Sequence, residues 1–523
     1  MFHTGKIFSG TLLSRISGMG RDLSMAFFFG DHPSVAAFMV AFRFSLLLRR
    51  FFGEGFFQFS FIPYFEGVRA RNEAEAAFFF RRLIFLMVLF LLSIIVLAEI
   101  GMGVFLLFCN FSASNQEIIS LTMWLFPGLL FVCLYGMNIS YLQCYEVFFI
   151  PSLAPAISNL IWIAAIFFLR KWDPAPAMTV LTKWVVVGLL GQWLLTLPLV
   201  MKHVFAFWKW RELLAVKIPV EMQDWIKSFI LGTLGVGVSQ LNSFFDTFLA
   251  RYVDPKGPVY LWYALRLEQL AFALLGLACV TPLLAKLSRG IKQGDWNISR
   301  SLFSRGCEEA ITLMTPATLA IFAMGGSLVN LIYGRGLFPI EATSKTSLIL
   351  AAYGVGLVPM TLILLFSSVC YAQRNFKTPL FISLFSMGIN GVLSTILIFG
   401  FHLEMVSIAF ATSLSAWVNA GLLYQHISKQ GWKMKFSSYL PLKIILISVL
   451  AWVVTVGVGY GWIRLEAFPR IFMKQLYSFL IEFFLFAVTL LLLAKIFRVS
   501  LLFDLLKIFF FRKKSWIPTK LDV

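Results

Sequence analysis

The chain has 523 residues, 59% of them hydrophobic and 13% charged, with a mean hydropathy of +0.85. A soluble domain is about a quarter charged, so this composition excludes the soluble class and places the chain in a membrane. The formal charge of +19 reads as basic loops holding spans against the cytoplasm, and nucleic-acid binding is excluded because no basic soluble domain accompanies it.

The first residues, MFHTGKIFSG, show no short apolar run followed by a small-residue cleavage site. No removable signal peptide is expected, and the first span acts as its own insertion signal. A window of about 20 apolar residues predicts an all-α integral membrane protein with about fourteen transmembrane helices. They fall at 8–30, 34–63, 83–108, 119–142, 150–169, 178–201, 228–251, 258–285, 304–333, 346–372, 378–400, 405–428, 440–463 and 475–497. Two six-helix lobes follow, residues 1–203 with spans 1 to 6 and residues 228–428 with spans 7 to 12. Residues 429–523 hold spans 13 and 14 and a basic tail. Between the lobes, VFAFWKWRELLAVKIPVEMQDWIK (204–227) mixes Trp and Phe with Lys and Arg. It reads as an amphipathic linker helix on the cytoplasmic surface.

Alternate connections are rich in Lys and Arg, such as Arg69, Arg71, Arg81 and Arg82, then Lys202, Lys209 and Arg211, then Lys286, Arg289 and Lys292, then Lys429, Lys433 and Lys435. The intervening GDHP, CNFSASNQE and GFHLE have none, although Arg170, Lys171, Arg335, Arg464 and Arg470 fall on the poor side. The balance predicts both termini in the cytoplasm, which an even number of spans satisfies. A faint repeat supports two lobes: AFRF (41–44) resembles ALRL (264–267), and GTLLS (10–14) resembles GVGVS (235–239). The six cysteines form no CxxC pair, so neither a disulfide framework nor a zinc site is expected.

The first two spans carry Arg15, Arg21, Asp22, Arg43, Arg49, Arg50 and Glu54. Each ion at a bilayer centre costs about 2.5–3.5 kcal/mol on insertion scales, so these groups are expected to face a bundle interior or a water-filled cavity. Arg15 and Asp22 are seven residues apart, which returns to nearly one face about 10 Å along a helix. Ser14 and Arg21 share a neighbouring face by the same arithmetic. Arg266 adds a cation from span 8. A guanidinium offers a fixed fork of donors that matches phosphate oxygens, so an excess of arginine points to a phosphorylated or otherwise polyanionic substrate. The competing reading pairs the arginines only with Asp22 and Glu54 and lets them snorkel.

A second polar set comprises Asp246 in span 7, Asn390 and Ser394 in span 11, and Thr412 in span 12. Such oxygens suit a hard cation, and Asp246 serves equally as a proton-binding carboxylate or an isolated hydrogen-bonded group. His3, His32, His203, His402 and His426 lie near span ends or in loops. No HExxH, P-loop or DxD pattern appears, so no enzyme chemistry and no nucleotide-driven pump is expected. A transferase acting on a polyprenyl phosphate is disfavoured because the predicted outer loops are short. A cationic-drug exporter is disfavoured because the charge excess is basic.

GTLLSRISGMGRD (10–22), AFRFSLLLRRFFGEGFFQFSFIP (41–63), FFIPSLAPAISN (148–159), RLEQLAFALLGLACVTPLLAKLS (266–288) and YAQRNFKTPL (371–380) resemble, in that order, the motifs of the MurJ/MviN family of lipid II flippases in the MOP exporter superfamily. The resemblance implies a flippase with a cavity between two lobes and a lipid-tail groove at spans 13 and 14. It would move undecaprenyl-diphosphate-linked muropeptide from the inner to the outer leaflet of the bacterial cytoplasmic membrane by alternating access. It implies that Ser14, Arg15, Arg21, Asp22, Arg49, Glu54 and Arg266 bind the substrate. It also implies a sodium site at Asp246, Asn390 and Thr412, with Ser394 where an acidic residue often stands. No cofactor is expected beyond such an ion or coupling to the membrane potential. The partners expected are lipid II, membrane lipids and cell-wall synthesis proteins. Ala36, Ser45, Leu46 and Leu265 depart from the family pattern, and Ala36 and Leu265 replace frequent aspartates. Export of another polyprenyl-diphosphate-linked oligosaccharide stays open as the alternative.

Overall fold

A computed structural model describes residues 2–52, 56–109, 112–204, 237, 240–373, 375–436, 439–462 and 469–511, with no strand among them. Contacts divide the chain into two compact units. One is Met1–Val259 with Gly336–Phe338, and the other is Tyr260–Arg335 with Pro339–Val523. The amphipathic linker expected at 204–227 lies outside the described residues, apart from Val204 at the end of a helix.

The first unit contains α1 (Phe2–Phe29), α2 (Pro33–Phe52), α3 (Phe56–Arg69), α4 (Glu73–Phe108), α5 (Ala113–Leu125), α6 (Gly128–Cys144), α7 (Phe149–Leu169), α8 (Pro174–Val204) and α9 (240–253). The entry to α4 shows how local chemistry sets a boundary. The Asn72 side chain accepts a bond from the Ala74 amide at 3.0 Å, and Glu73 and Glu75 stand at the positive end of the helix. That start lies well before the apolar window at 83. Arg81 and Arg82, expected in a connection, are therefore buried helical residues. Span 4 is bent by 42° between α5 and α6, where Pro127 cannot donate a backbone bond. Phe57, Phe61 and Phe65 recur every four residues on α3. Their rings stack at 5.4 and 5.2 Å and pack with Phe80 of α4 and Tyr141 of α6. Far along α4, Leu107 and Phe108 are each 82% exposed. An apolar exterior of this kind needs lipid around it.

Gly336–Phe338 seats on the end of α1. The Leu337 amide donates to the Phe27 carbonyl at 2.9 Å. Gly30 and Gly336 have φ of +60° and +62°, and a Cβ on either would collide with the backbone oxygen of Leu337 or Phe27, respectively. Only glycine meets both demands.

The second unit receives α10 (Gly257–Ala271), whose first turn lies in the first unit. The helix continues through a π-helical turn (Phe272–Leu277) into α11 (Ala278–Gln293). Then come α12 (Trp296–Tyr333), α13 (Ile340–Gly354), α14 (Leu357–Ala372), α15 (Lys377–Phe399), α16 (Val406–Ser428), α17 (Leu440–Trp462), α18 (Phe472–Ile496) and α19 (Ser500–Phe511). The 38 residues of α12 make a rod of about 57 Å, against a hydrocarbon core of about 30 Å. Trp432 packs edge-on to Phe303 at 5.6 Å, in a core with Leu283 and Phe366. Ser304 of α12 donates to the Lys435 carbonyl at 2.6 Å and accepts from its amide at 2.7 Å, which ties α12 to the connection before α17.

Among the described residues nine helices are long and apolar enough to cross a membrane, and the bent α5–α6 pair makes a tenth. They correspond to predicted spans 3 to 6 and 9 to 14. Spans 1, 2 and 8 are the helices that carry the charged candidates, and much of span 7 lies outside the described residues. Predicted span 10 is two helices parted at Val355–Gly356. The helix α19 beyond span 14 was not anticipated from the sequence.

Candidate substrate-binding site

On α1, Ser14, Ser17, Gly18 and Arg21 form a stripe at helical spacing, and α7 packs against this helix. A Cβ at Gly18 would meet Asn159 Nδ2 at 3.5 Å, an ordinary van der Waals contact, so the packing of α7 here does not depend on this glycine. Asn159 Nδ2 donates to Ser17 Oγ at 3.1 Å and to the Ser14 carbonyl at 3.3 Å, while its Oδ1 accepts from Arg21 Nη1 at 3.2 Å. Arg21 Nε and Nη2 both donate to Asp22 Oδ1, at 3.0 and 2.8 Å. The guanidinium lies over the Trp162 ring at 4.5 Å. Phe38 and Phe42 hold that indole edge-on at 5.4 and 5.0 Å. Arg21 and Asp22 are 8% and 5% exposed. The result is a dry charged pair, gripped by an amide and an indole from α7.

The other expected residues are placed differently. Ser14 is half-buried and joins through its carbonyl. Arg15 is exposed, and Leu12, Leu13 and Ile16 are exposed beside it. Arg49 is half-buried on α2, and Glu54 lies outside the described residues. Arg266 belongs to the second unit, half-buried with its guanidinium over the Trp262 ring at 4.4 Å. Asn159 and Trp162 were not anticipated as site residues. The one available signal was an amide standing in the apolar run AISNLIWIAAIFF.

In the second polar set, Asp246 belongs to the first unit, is 5% exposed, and accepts from Asn242 Nδ2 at 3.4 Å. Asn390, Ser394 and Thr412 lie in the second unit, where α15 and α16 pack together. Thr412 Oγ1 lies 3.4 Å from Asn390 Oδ1 and 3.0 Å from the Ile408 carbonyl. Ser394, fully buried one turn from Asn390, has a hydroxyl without a partner among the described residues. An unpartnered buried oxygen donor beside an amide and a second hydroxyl fits a hard cation.

A further cluster lies at the other end of α1. Lys256 pairs with Asp31 at 3.2 Å, and Arg251 of α9 donates to the carbonyls of Pro33 and Pro255 and to Ser114 Oγ. It closes one end of a cavity of about 620 Å³ with apolar walls that include Val40, Phe44, Phe105, Phe244 and Phe248.

The model of the lipid II flippase MurJ family matches residues 25–481. The chain belongs to that family. A probable lipid II flippase MurJ of Chlamydia trachomatis serovar D is 32% identical over 464 residues, covering 87% of this chain and 84% of the relative. A solved lipid II flippase MurJ in an inward closed conformation shares the fold at a TM-score of 0.75 and 23% identity, over 94% of this chain and 98% of that one. An inward-facing multidrug resistance MATE transporter of the MOP superfamily follows at 0.64 and 13% identity, over 83% and 99%. The MurJ family resemblance read from the sequence motifs is borne out.

Proposed function

We propose that this chain carries lipid II, the undecaprenyl-diphosphate-linked muropeptide used for peptidoglycan, from the inner to the outer leaflet of the bacterial cytoplasmic membrane. The observation that carries this reading is the buried Arg21–Asp22–Asn159 cluster in a chain of the lipid II flippase family. Arg21 holds partners at 2.8–3.2 Å, and diphosphate oxygens compete for the same donors. Asn159 is the neutral partner on Nη1, so exchanging it alone for a phosphate oxygen keeps Arg21 paired and Asp22 compensated, which avoids the cost of a bare charge in the membrane. In the same unit Arg15 and Arg49 supply further forks, and the hydrocarbon tail stays in lipid. The chemistry is transport by alternating access, with no covalent step. Asn390, Ser394 and Thr412, which lie together in the second unit, are the residues that would hold a sodium ion, and Asp246 of the first unit is a separate candidate carboxylate for a cation or a proton. Such an ion, when bound, links its own gradient to the conformational equilibrium.

The test is complementation. Expression of this chain in a strain depleted of its own lipid II flippase should restore growth, and lipid II should become accessible to an impermeant outer probe. A membrane-inserted chain that leaves lipid II inside overturns the reading. Outward movement of a different polyprenyl-diphosphate-linked oligosaccharide in the same cells would assign the chain to that substrate.

A further inference from the structure

Glu268 stands on α10, two residues after Arg266. It is 1% exposed, and neither carboxylate oxygen has a hydrogen-bond partner among the described residues. It lies about 16 Å along the helix from Gly257, inside the span predicted at 258–285. Among the described residues no charged group pairs with it. On its own helix, the Arg266 guanidinium lies over Trp262. The helices packed on the adjacent π-turn are α11, α12 and α14. Among the described side chains they carry Lys286 and Arg289, then Arg300, Arg305, Cys307, Glu308, Glu309 and Tyr333, and Cys370 and Tyr371. Arg305 is taken by Glu309 at 2.8 Å, and none of these groups bonds Glu268. A bare carboxylate in such a place has lost its water and gained no counter-ion or donor, whereas the neutral acid has little to lose. Ionisable groups inside membranes mark ion pathways and proton relays.

The second observation is the π-turn Phe272–Leu277, which begins four residues after Glu268. A π-turn holds one residue more than an α-turn, and such turns concentrate at functional sites. Sliding it toward the helix N-terminus, past Glu268, would rotate that side chain by about 100°. The move needs no unfolding of the helix. At Gly276 within the turn, a Cβ would sit 3.0 Å from Phe272 and from Thr361 Oγ1, so α14 packs tightly on the turn.

We propose that Glu268 is a proton-binding site of the transport cycle, an inference that rests on the transport reading above. The carboxyl holds its proton in the conformation described. When the π-turn shifts, the side chain rotates out of the interior and the O–H proton passes to water, leaving the carboxylate.

Two measurements test this separately from the function. Infrared spectra of the purified full chain in an ester-free detergent should contain a protonated-carboxyl band that shifts in D2O, and E268Q should lack that component. In proteoliposomes containing lipid II, reversing an imposed pH gradient should change the parent translocation rate severalfold. E268Q should move lipid II at one rate under both polarities, and E268D should keep the response. An infrared difference of zero between parent and E268Q overturns the proposal, as does an E268Q response equal to that of the parent. If the parent moves no lipid II at all, the transport reading fails, and the infrared result still decides whether Glu268 holds a proton. Gln matches the neutral acid in shape, so E268Q should fold; should it not, loss of the pH response in E268A with retention in E268D decides the same point.

Discussion

At the scale of single residues, Arg21 has two roles that substitution separates. It neutralises Asp22, and it presents a fork. Arg21→Ala leaves Asp22 buried and uncompensated, so stability should fall by about 3–5 kcal/mol, read by thermal unfolding in detergent. Adding Asp22→Asn should recover part of that loss. Arg21→Lys keeps the charge without the fork or the stacking plane, and its binding of lipid II should fall between parent and alanine variant. Each lost charge-assisted contact is worth about 1.5–3 kcal/mol, roughly ten- to a hundredfold in affinity. Equal affinity in parent, Lys and Ala variants would make Arg21 purely structural. Asp246→Asn has a different expected signature. The protein should stay folded and inserted, and translocation should lose its dependence on sodium. A rate and sodium response like those of the parent would leave Asp246 as only a hydrogen-bonding partner of Asn242.

At the scale of elements, α12 and α18 are joined by polar groups. Asn330 donates to the Pro469 carbonyl at 3.0 Å, and Gln475 donates to the Gly334 carbonyl at 3.0 Å and to Asn330 Oδ1 at 3.4 Å. Ser327 and Ser478 meet at 3.3 Å. Lipid removes the hydrophobic drive between helices, so bonds of this kind contribute to their pairing. Gln475→Leu should destabilise the protein by about 1–2 kcal/mol and raise protease sensitivity near residue 470; an unchanged melting curve would show that apolar packing alone holds α18. The spans themselves were legible as apolar windows. Their true ends were not, because α4 and α12 run on into polar sequence that carries no hydropathy signal. At α4 the cap Asn72 with Glu73 and Glu75 was readable, and at span 10 the Gly354–Val355–Gly356 break was too. The charged half of the α1 cluster was visible in Arg21 and Asp22. Its other half was not, because contact with Asn159, 138 positions away, leaves no periodic trace along the chain.

At the scale of the whole molecule, the basic connections predict that both termini face the cytoplasm. Asn297 and His402 are both exposed, and they fall on opposite sides in that arrangement. Single cysteines at these positions, in a background lacking the six native cysteines, should react differently with an impermeant thiol reagent applied outside. Position 402 should label and 297 should not, and the reverse pattern would invert the topology. The length of α12 has a mechanical consequence of its own. Pro316 lies near the middle of the helix and leaves the Thr312 carbonyl without its helical donor, a natural pivot. Swinging a rod of about 57 Å by about 10° around its middle moves each tip by about 5 Å. Two turns in from one tip, where the same swing gives about 3 Å, Ser304 grips Lys435, and Lys435 leads into α17. A slight flexing at the pivot is therefore geared up into a pull on the helix pair α17–α18, several turns away from where the motion began.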